Sequence, residues 1–295
     1  ISAQQSITVS PGEHSIEKAL KKAKKVDGAV TIYLHEGRYE LSKPIVFTAT
    51  DKDLTIMSFP NEKALITGSK RLKLKWQPHR DGIYKATVPK KIFDGEIDIL
   101  IVDGHIAQMA RYPNYDSTAV RFNGTSADAT SIERVTKWEK PQGGFLHAMH
   151  QSDWGDFHYR ITGKKTDGTL ELTGGHQNNR RMGIHRDNRM VEGIFEELDT
   201  QDEWFFDKDS HTLYYYPLAG RDIAKSTFEV AAQKTLVEIR GATSISIQDL
   251  ELTGTARTFM EEYEPLLRSD WTVYRGGAIV MEGTEDCSIT NCHLH

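Results

Sequence analysis

The 295-residue chain is most informative first for what it lacks. It has only two cysteines, Cys287 and Cys292. Five apart in one strand-rich segment, they would lie on opposite faces of an extended strand unless a turn intervenes. They are expected as small inward-facing hydrophobes rather than as a disulfide. No apolar run approaches the roughly 18 residues that a membrane-spanning helix needs. No basic run extends beyond Lys21–Lys25, and 42 acidic against 37 basic residues leave a formal charge of -5. Nothing in that balance favours nucleic acid or an acidic membrane surface. An intact signal peptide is also missing, but the opening ISAQQ reads like the residue of a small-residue cleavage site. Export, whether secreted, periplasmic or to the cell surface, is therefore the expectation. What is present is 38% hydrophobic content, enough to bury the core of one large domain or two smaller ones.

The patterning is that of strands. Leu236 to Gly254, LVEIRGATSISIQDLELTG, is echoed by AIVMEGTEDCSITNCHLH at an offset of 42 residues, which sets Gly241 on Gly283, Ile247 on Ile289 and Leu252 on Leu294. Each copy is a pair of short alternating β runs around a glycine turn. A strand with one apolar edge cannot bury it alone, so stacked copies predict a solenoid whose coils lay strand upon strand. AVTIYLHEGRYELSKPIVF and DLTIMSFPNEKALITG read as the first coils. Ile45, Val46, Leu54 and Ile56 set against Leu236, Val237, Ile245 and Ile247 give a constant offset of 191. Ahead of them, SPGEHSIEKALKKAKK carries a helix start at Ser10-Pro11 and apolar Ile16, Ala19, Leu20 and Ala23 at helical spacing, which predicts a capping helix of about three turns.

The solenoid thus pauses and resumes. The reading places the cap and first coils in residues 1–69, an inserted module in 70–230 and resumed coils in 231–295. The inserted stretch holds Trp76, Trp138, Trp154 and Trp204 and is cut into short runs by DG, NG and GG turns, which predicts an antiparallel barrel or sandwich. Trp204–Phe206 and Leu213–Tyr216 flank a KDS turn as a hairpin. The fold class is all-β.

The order of these blocks resembles one family. GEHSIEKALKKA with VTIYLHEGRYELSKPI, then LTIMSFPNEKALITG, WQPHRDGIYKATVP, LIVDGHIAQMARYPN and EWFFDKDSHTLYYYP together resemble right-handed parallel β-helix proteins of the pectate-lyase-like superfamily. The resemblance is to the carbohydrate-active branch in which a β-sandwich or barrel module interrupts the helix. It implies a right-handed parallel β-helix and a secreted bacterial glycoside hydrolase of plant or algal polysaccharide. Members continue through further coils, whereas this chain ends at His295. The expectation is therefore a helix truncated at its C-terminal side: a fragment, a proteolytic product, or one half of a nicked protein whose other half is a second chain that completes it.

Hydrolysis of a glycosidic bond needs two carboxyl groups, one as acid and one as base or nucleophile. The excursion TARTFMEEYEPLLRSDWTVYRGG between the two copies concentrates the required groups, since loops leaving a rigid scaffold carry binding residues disproportionately. Glu264 and Asp270 are the candidate catalytic pair, against the competing assignment of a pair beyond residue 295. Glu261, Trp271, Tyr274 and Arg275 are candidate substrate-binding residues, the rings for stacking on sugar and the arginine for hydroxyls or anions. The bland reading of the same loop is a charged, solvated segment anchored by its aromatics. In LHAMHQSDWGDFHYR, His147, His150 and His158 are candidates for the substrate rim, against a strand and turn in which Trp154 packs inward. The pattern lacks a zinc signature, and no metal is assigned. GGHQNNRRMGIHRDNR, with His176, Arg180, Arg181, His185, Arg186 and Arg189, reads as a solvated loop able to receive an anionic glycan. Asp51–Asp53 and Asp207/Asp209 read as turns rather than calcium loops. No organic cofactor is called for; calcium enters only with the alternative of a polysaccharide lyase. The remaining alternative is a non-catalytic glycan-binding or adhesion solenoid.

Overall fold

A computed structural model of the protein describes residues 5–180 and 183–295, so most of ISAQQ and Arg181 of the basic patch fall outside it. The chain divides into two compact units. One comprises Ile1–Lys70, Val230–Ala256 and Gly276–His295; the other comprises Arg71–Glu229 and Arg257–Arg275. Almost all regular structure is strand.

In the first unit three parallel sheets are fed in turn by successive coils. Gln5–Val9, Val30–Leu34, Lys52–Ser58, Thr243–Gln248 and Ser288–Thr290 form the first sheet. Gly37–Glu40, Ala64–Thr67, Leu250–Thr253 and His293–Leu294 form the second. Ile45–Phe47, Val237–Arg240 and Ile279–Glu282 form the third. Side chains alternate along a strand, so a fixed register stacks like upon like. Ile7, Ile32, Ile56, Ile247 and Ile289 thereby form an unbroken isoleucine ladder. Its middle members Ile32, Ile56 and Ile247 are fully buried, each contributing roughly 1.5–3 kcal/mol by removal from water.

The register differs from expectation at one corner. Ile45 pairs with Val237, not with Leu236, while Leu54 still pairs with Ile245. Five steps separate Phe47 from Lys52, but only four separate their partners Ile239 and Thr243. The extra corner residue shifts the third ladder by one, and a one-residue shift exchanges faces. Val46 accordingly points outward, 41% exposed, and Ile45 inward.

The helix runs Ser15–Ala23 and buries Ile16, Ala19, Leu20 and Ala23 in the coil core. It starts later than Ser10-Pro11 because His14 adopts a left-handed conformation, φ 55°, that a helix cannot pass through. Both cysteines are free, and both pack against the same core. Asn291, at φ 51°, supplies the intervening turn. Asp51 and Asp207 are turn formers: Thr48 N donates to Asp51 Oδ2 at 2.7 Å, and Asp209 N donates to Asp207 Oδ1 at 3.0 Å.

The second unit is built on sheets of mixed type rather than on an antiparallel barrel or sandwich alone. The hairpin Glu203–Asp207 with Thr212–Tyr215 forms across the KDS turn. Its first strand, however, also pairs in parallel with His105–Met109, Gln108 opposite Glu203. Beside this sheet, Arg111–Tyr112, Ile184–Glu192, Phe145–His150, Asp156–Lys164 and Leu170–Gly174 make a five-stranded antiparallel sheet. Leu146, Ile161 and Val191 on one face of it pack with Trp138 and Ile194. Trp138 Nε1 donates to Glu197 Oε1 at 2.7 Å, which satisfies the polar atom of a buried indole.

A buried imidazole–carboxylate chain as the candidate functional site

The other face of the five-stranded sheet carries the chemistry. Alternation places Phe145 and His147 opposite Leu146, and Asp156, His158 and Arg160 opposite Phe157 and Ile161. His147 lies directly across from His158, and Phe145 across from Glu192. These polar side chains on neighbouring strands therefore meet. His147 Nδ1 is 2.7 Å from His158 Nδ1, and His147 Nε2 is 3.0 Å from Glu192 Oε1. Asp156 Oδ2 lies 3.5 Å from His158 Nε2. The same Glu192 oxygen accepts from Arg257 Nη1 at 2.5 Å. The result is one chain of five groups, Asp156, His158, His147, Glu192 and Arg257.

The Glu192 carboxylate accepts from His147 Nε2–H, and a proton on one of the two rings closes the Nδ1···Nδ1 contact. Burial pushes the His147 imidazole down in pKa, against the opposing pull of Glu192. Burial also acts to raise the Glu192 carboxyl, but Arg257 and His147 outweigh it and hold the group well below the usual carboxylate range. His158 likewise pulls the Asp156 carboxyl down by its hydrogen bond. The Arg257 guanidinium offsets the buried Glu192 carboxylate, the condition under which burial of such a charge is tolerated.

Aromatic rings enclose the chain. Phe259 lies 5.1 Å from the His147 ring and 5.0 Å from the His158 ring, and the Arg257 guanidinium sits 4.9 Å over it. Gln177 fixes the approach of the excursion: its Oε1 accepts from His158 N and its Nε2 donates to Phe259 O, both at 3.0 Å. Thr272 N donates to Gln177 O at 3.2 Å. The segment Arg257–Arg275 is thus part of the second unit.

The structure brings some of the expected residues together and separates others. His147 and His158 touch. His150 does not join them; it is buried beside Trp154 and Trp271, at ring separations of 5.3 and 6.2 Å. Among the described residues no group of three or more His, Cys, Asp or Glu could hold a metal ion. Glu264 opens the short hairpin Glu264–Pro265 with Thr272–Val273 and pairs with Arg275 Nε at 2.6 Å. Asp270 is half-buried, pairs with Arg180 at 2.6 Å, and its carbonyl accepts from Asn179 N at 2.7 Å. Each catalytic candidate therefore holds an arginine of its own. Tyr274 packs on Tyr263 at 6.2 Å, and Glu261 N donates to Thr258 O at 3.0 Å. Trp271 is half-buried, stacked on Phe157 at 5.9 Å. Trp154, expected to pack inward, is instead 72% exposed. Asp153, at φ 58°, reverses the chain just before it and takes it out of strand alternation. An open concavity lined by Asp103, Leu218, Arg221 and Lys225 shares no residue with this site.

Trp271 leaves no room at Gly155, where an added Cβ would come within 2.5 Å of the indole. Gly155→Ala is expected to cost about 1–3 kcal/mol by overpacking. A lower urea midpoint with an altered tryptophan emission spectrum is the expected result; an unchanged midpoint would show that the ring yields freely.

Glu192, Gln177, Arg257 and Phe259 were not singled out by sequence. The one signal was a carboxylate closing the apolar run Met190–Val191, where alternation puts it on the face opposite Val191.

No protein-family model and no curated protein matches the chain. Among solved structures, one described as "Glycoside hydrolase" superposes with a TM-score of 0.78 at 18% identity, over 98% of this chain and 62% of that one. The two share a fold. The complex of XylC with xylose matches at a TM-score of 0.37 and 13% identity, over 84% of this chain and 35% of the other. The chain thus spans 62% of the length of the first of these structures.

Proposed function

We propose that the protein is a glycoside hydrolase, exported from a bacterial cell and acting on plant or algal polysaccharide. In this reading the three parallel ladders are the faces of a right-handed parallel β-helix, the hand taken by nearly all parallel crossovers. The observation that carries it is the likeness in fold to a glycoside hydrolase over 98% of the chain. The second unit supports it with a surface suited to sugar: the hairpin bearing Glu264 and Asp270, and the aromatic Trp271 and Tyr274 on the same segment. Its other part is the neighbouring strands carrying His147, His150 and His158. Glu264 and Asp270 supply the acid and the base or nucleophile. Glu261 and Arg275 hydrogen-bond sugar hydroxyls, and His147, His150 and His158 contribute to the substrate rim.

The test is release of reducing ends from a panel of plant and algal polysaccharides by the wild type, Glu264→Gln and Asp270→Asn. Wild type is expected to release them from at least one glycan, with kcat down about 100-fold in each variant and KM little changed. Wild-type inertness across the panel would overturn the reading. Activity unchanged in both variants would remove the two carboxylates from the mechanism.

A further inference from the structure

The proposed site leaves Trp154 unexplained. Of the exposed large apolar side chains among the described residues, it alone has an aromatic ring stacked against it. One face of the indole lies on the His150 imidazole, centroids 5.3 Å apart and planes 14° from parallel, and His150 is itself only 2% exposed. The turn between them is fixed. His150 N donates to Gly155 O at 2.7 Å, Asp153 N donates to His150 O at 2.8 Å, and Ser152 N donates to His150 Nδ1 at 2.9 Å. That last bond puts the imidazole proton on Nε2, which is buried and has no acceptor among the described residues. His150, with Nδ1 taken by Ser152 N, is thus placed as a flat support for the indole. The other face of the indole is open.

What surrounds it is polar. Asp153 Oδ2 pairs with Arg121 at 3.1 Å, Asp153 Oδ1 accepts from Asn188 Nδ2 at 3.0 Å, and His185 lies 3.8 Å from the same carboxylate. An apolar protein surface laid on this ring would desolvate the Arg121–Asp153 pair without replacing its water. A pyranose ring suits both parts, its C–H face on the indole and its hydroxyls toward the charged and amide groups. We infer that Trp154 is a saccharide-stacking subsite, specific for neutral oligosaccharides of equatorially substituted pyranoses. This rests on the carbohydrate partner of the proposed function but needs no turnover.

The test uses the full chain labelled with 5-fluorotryptophan, whose five tryptophans each give a fluorine resonance; Trp154→Phe identifies the one of interest. The probes are xylohexaose, cellohexaose, β-1,4-mannohexaose and β-1,3-glucohexaose. At least one is expected to shift the Trp154 resonance saturably, and isothermal titration calorimetry with that sugar is expected to show affinity falling roughly tenfold in Trp154→Ala and less in Trp154→Phe. A shift in a protein that hydrolyses nothing would sink the hydrolase reading and support the subsite. A resonance unmoved by all four probes overturns the subsite whatever the hydrolysis result. So does a shift that appears on concentrating the protein without sugar, which would mean that a second copy covers the ring.

Discussion

Arg257→Met is expected to destabilise the second unit by about 3–5 kcal/mol, the cost of leaving a buried carboxylate without its cation. Glu192 is 7% exposed, and one of its oxygens receives both Arg257 and His147. Without the guanidinium, the Glu192 carboxylate stays buried with only the His147 imidazole on that oxygen. Arg257→Met combined with Glu192→Gln removes the stranded charge as well, and should recover a large part of the loss. The pH dependence carries the same information. The Glu192 carboxyl is depressed in the fold, so its contribution is fully present above its unfolded value of 4.5 and is lost progressively as pH falls below it. The single variant has little of this contribution to lose, and its stability should vary less between pH 5 and pH 3. Urea unfolding followed by tryptophan fluorescence reads all three proteins. Equal midpoints for wild type and the single variant would mean that the ion pair is held at no net gain.

Glu203→Gln should act in the opposite direction. Glu203 is 1% exposed. Burial, partly offset by backbone N–H groups of Thr200 and Asp199 on its Oε2, pushes the carboxyl up to about 8. A raised acid favours folding fully only below the unfolded value of 4.5. As pH rises toward 8 the unfolded chain ionises and the folded one does not, so stability falls. By pH 7 the loss is on the order of 3 kcal/mol. Glutamine keeps the shape and cannot ionise. The variant should match wild type near pH 4 and exceed it increasingly up to pH 8, where the gap levels off. Parallel stability curves across that range would show that Glu203 is ionised in the fold.

The parallel strand ladders were legible because their signal is local. An inward isoleucine every second residue, repeated at one offset, predicts both strand and ladder, and Ile56–Ile247–Ile289 follows directly. The slip at Ile45 was not legible, because alternation says nothing about how many residues turn a corner. Nor was the parallel pairing of Gln108 with Glu203, which joins segments nearly a hundred residues apart with no repeat to link them. The site divides in the same way. His147 and His158 stand close in sequence and were paired by a hairpin, so their clustering was visible. Glu192 came to them from a distant strand and Arg257 from an irregular segment farther on, and a single buried charge reads as an ordinary residue until its partner is known. The competing reading places Trp154 inward, in a strand and a turn; the turn is there, but Asp153 in a left-handed conformation leaves the ring facing outward.

Arg257–Arg275, which separates the last two sets of parallel strands in sequence, is folded into the second unit and presents its carboxylates from there. Amide hydrogen exchange of the wild type tests it most directly. Thr272 N, bonded to Gln177 O, and Leu266 N, bonded to Trp271 O, should be protected and should exchange together with the strands Phe145–His150 and Asp156–Lys164. Exchange of 257–275 at the rate of an unstructured chain, with those strands still protected, would contradict the account.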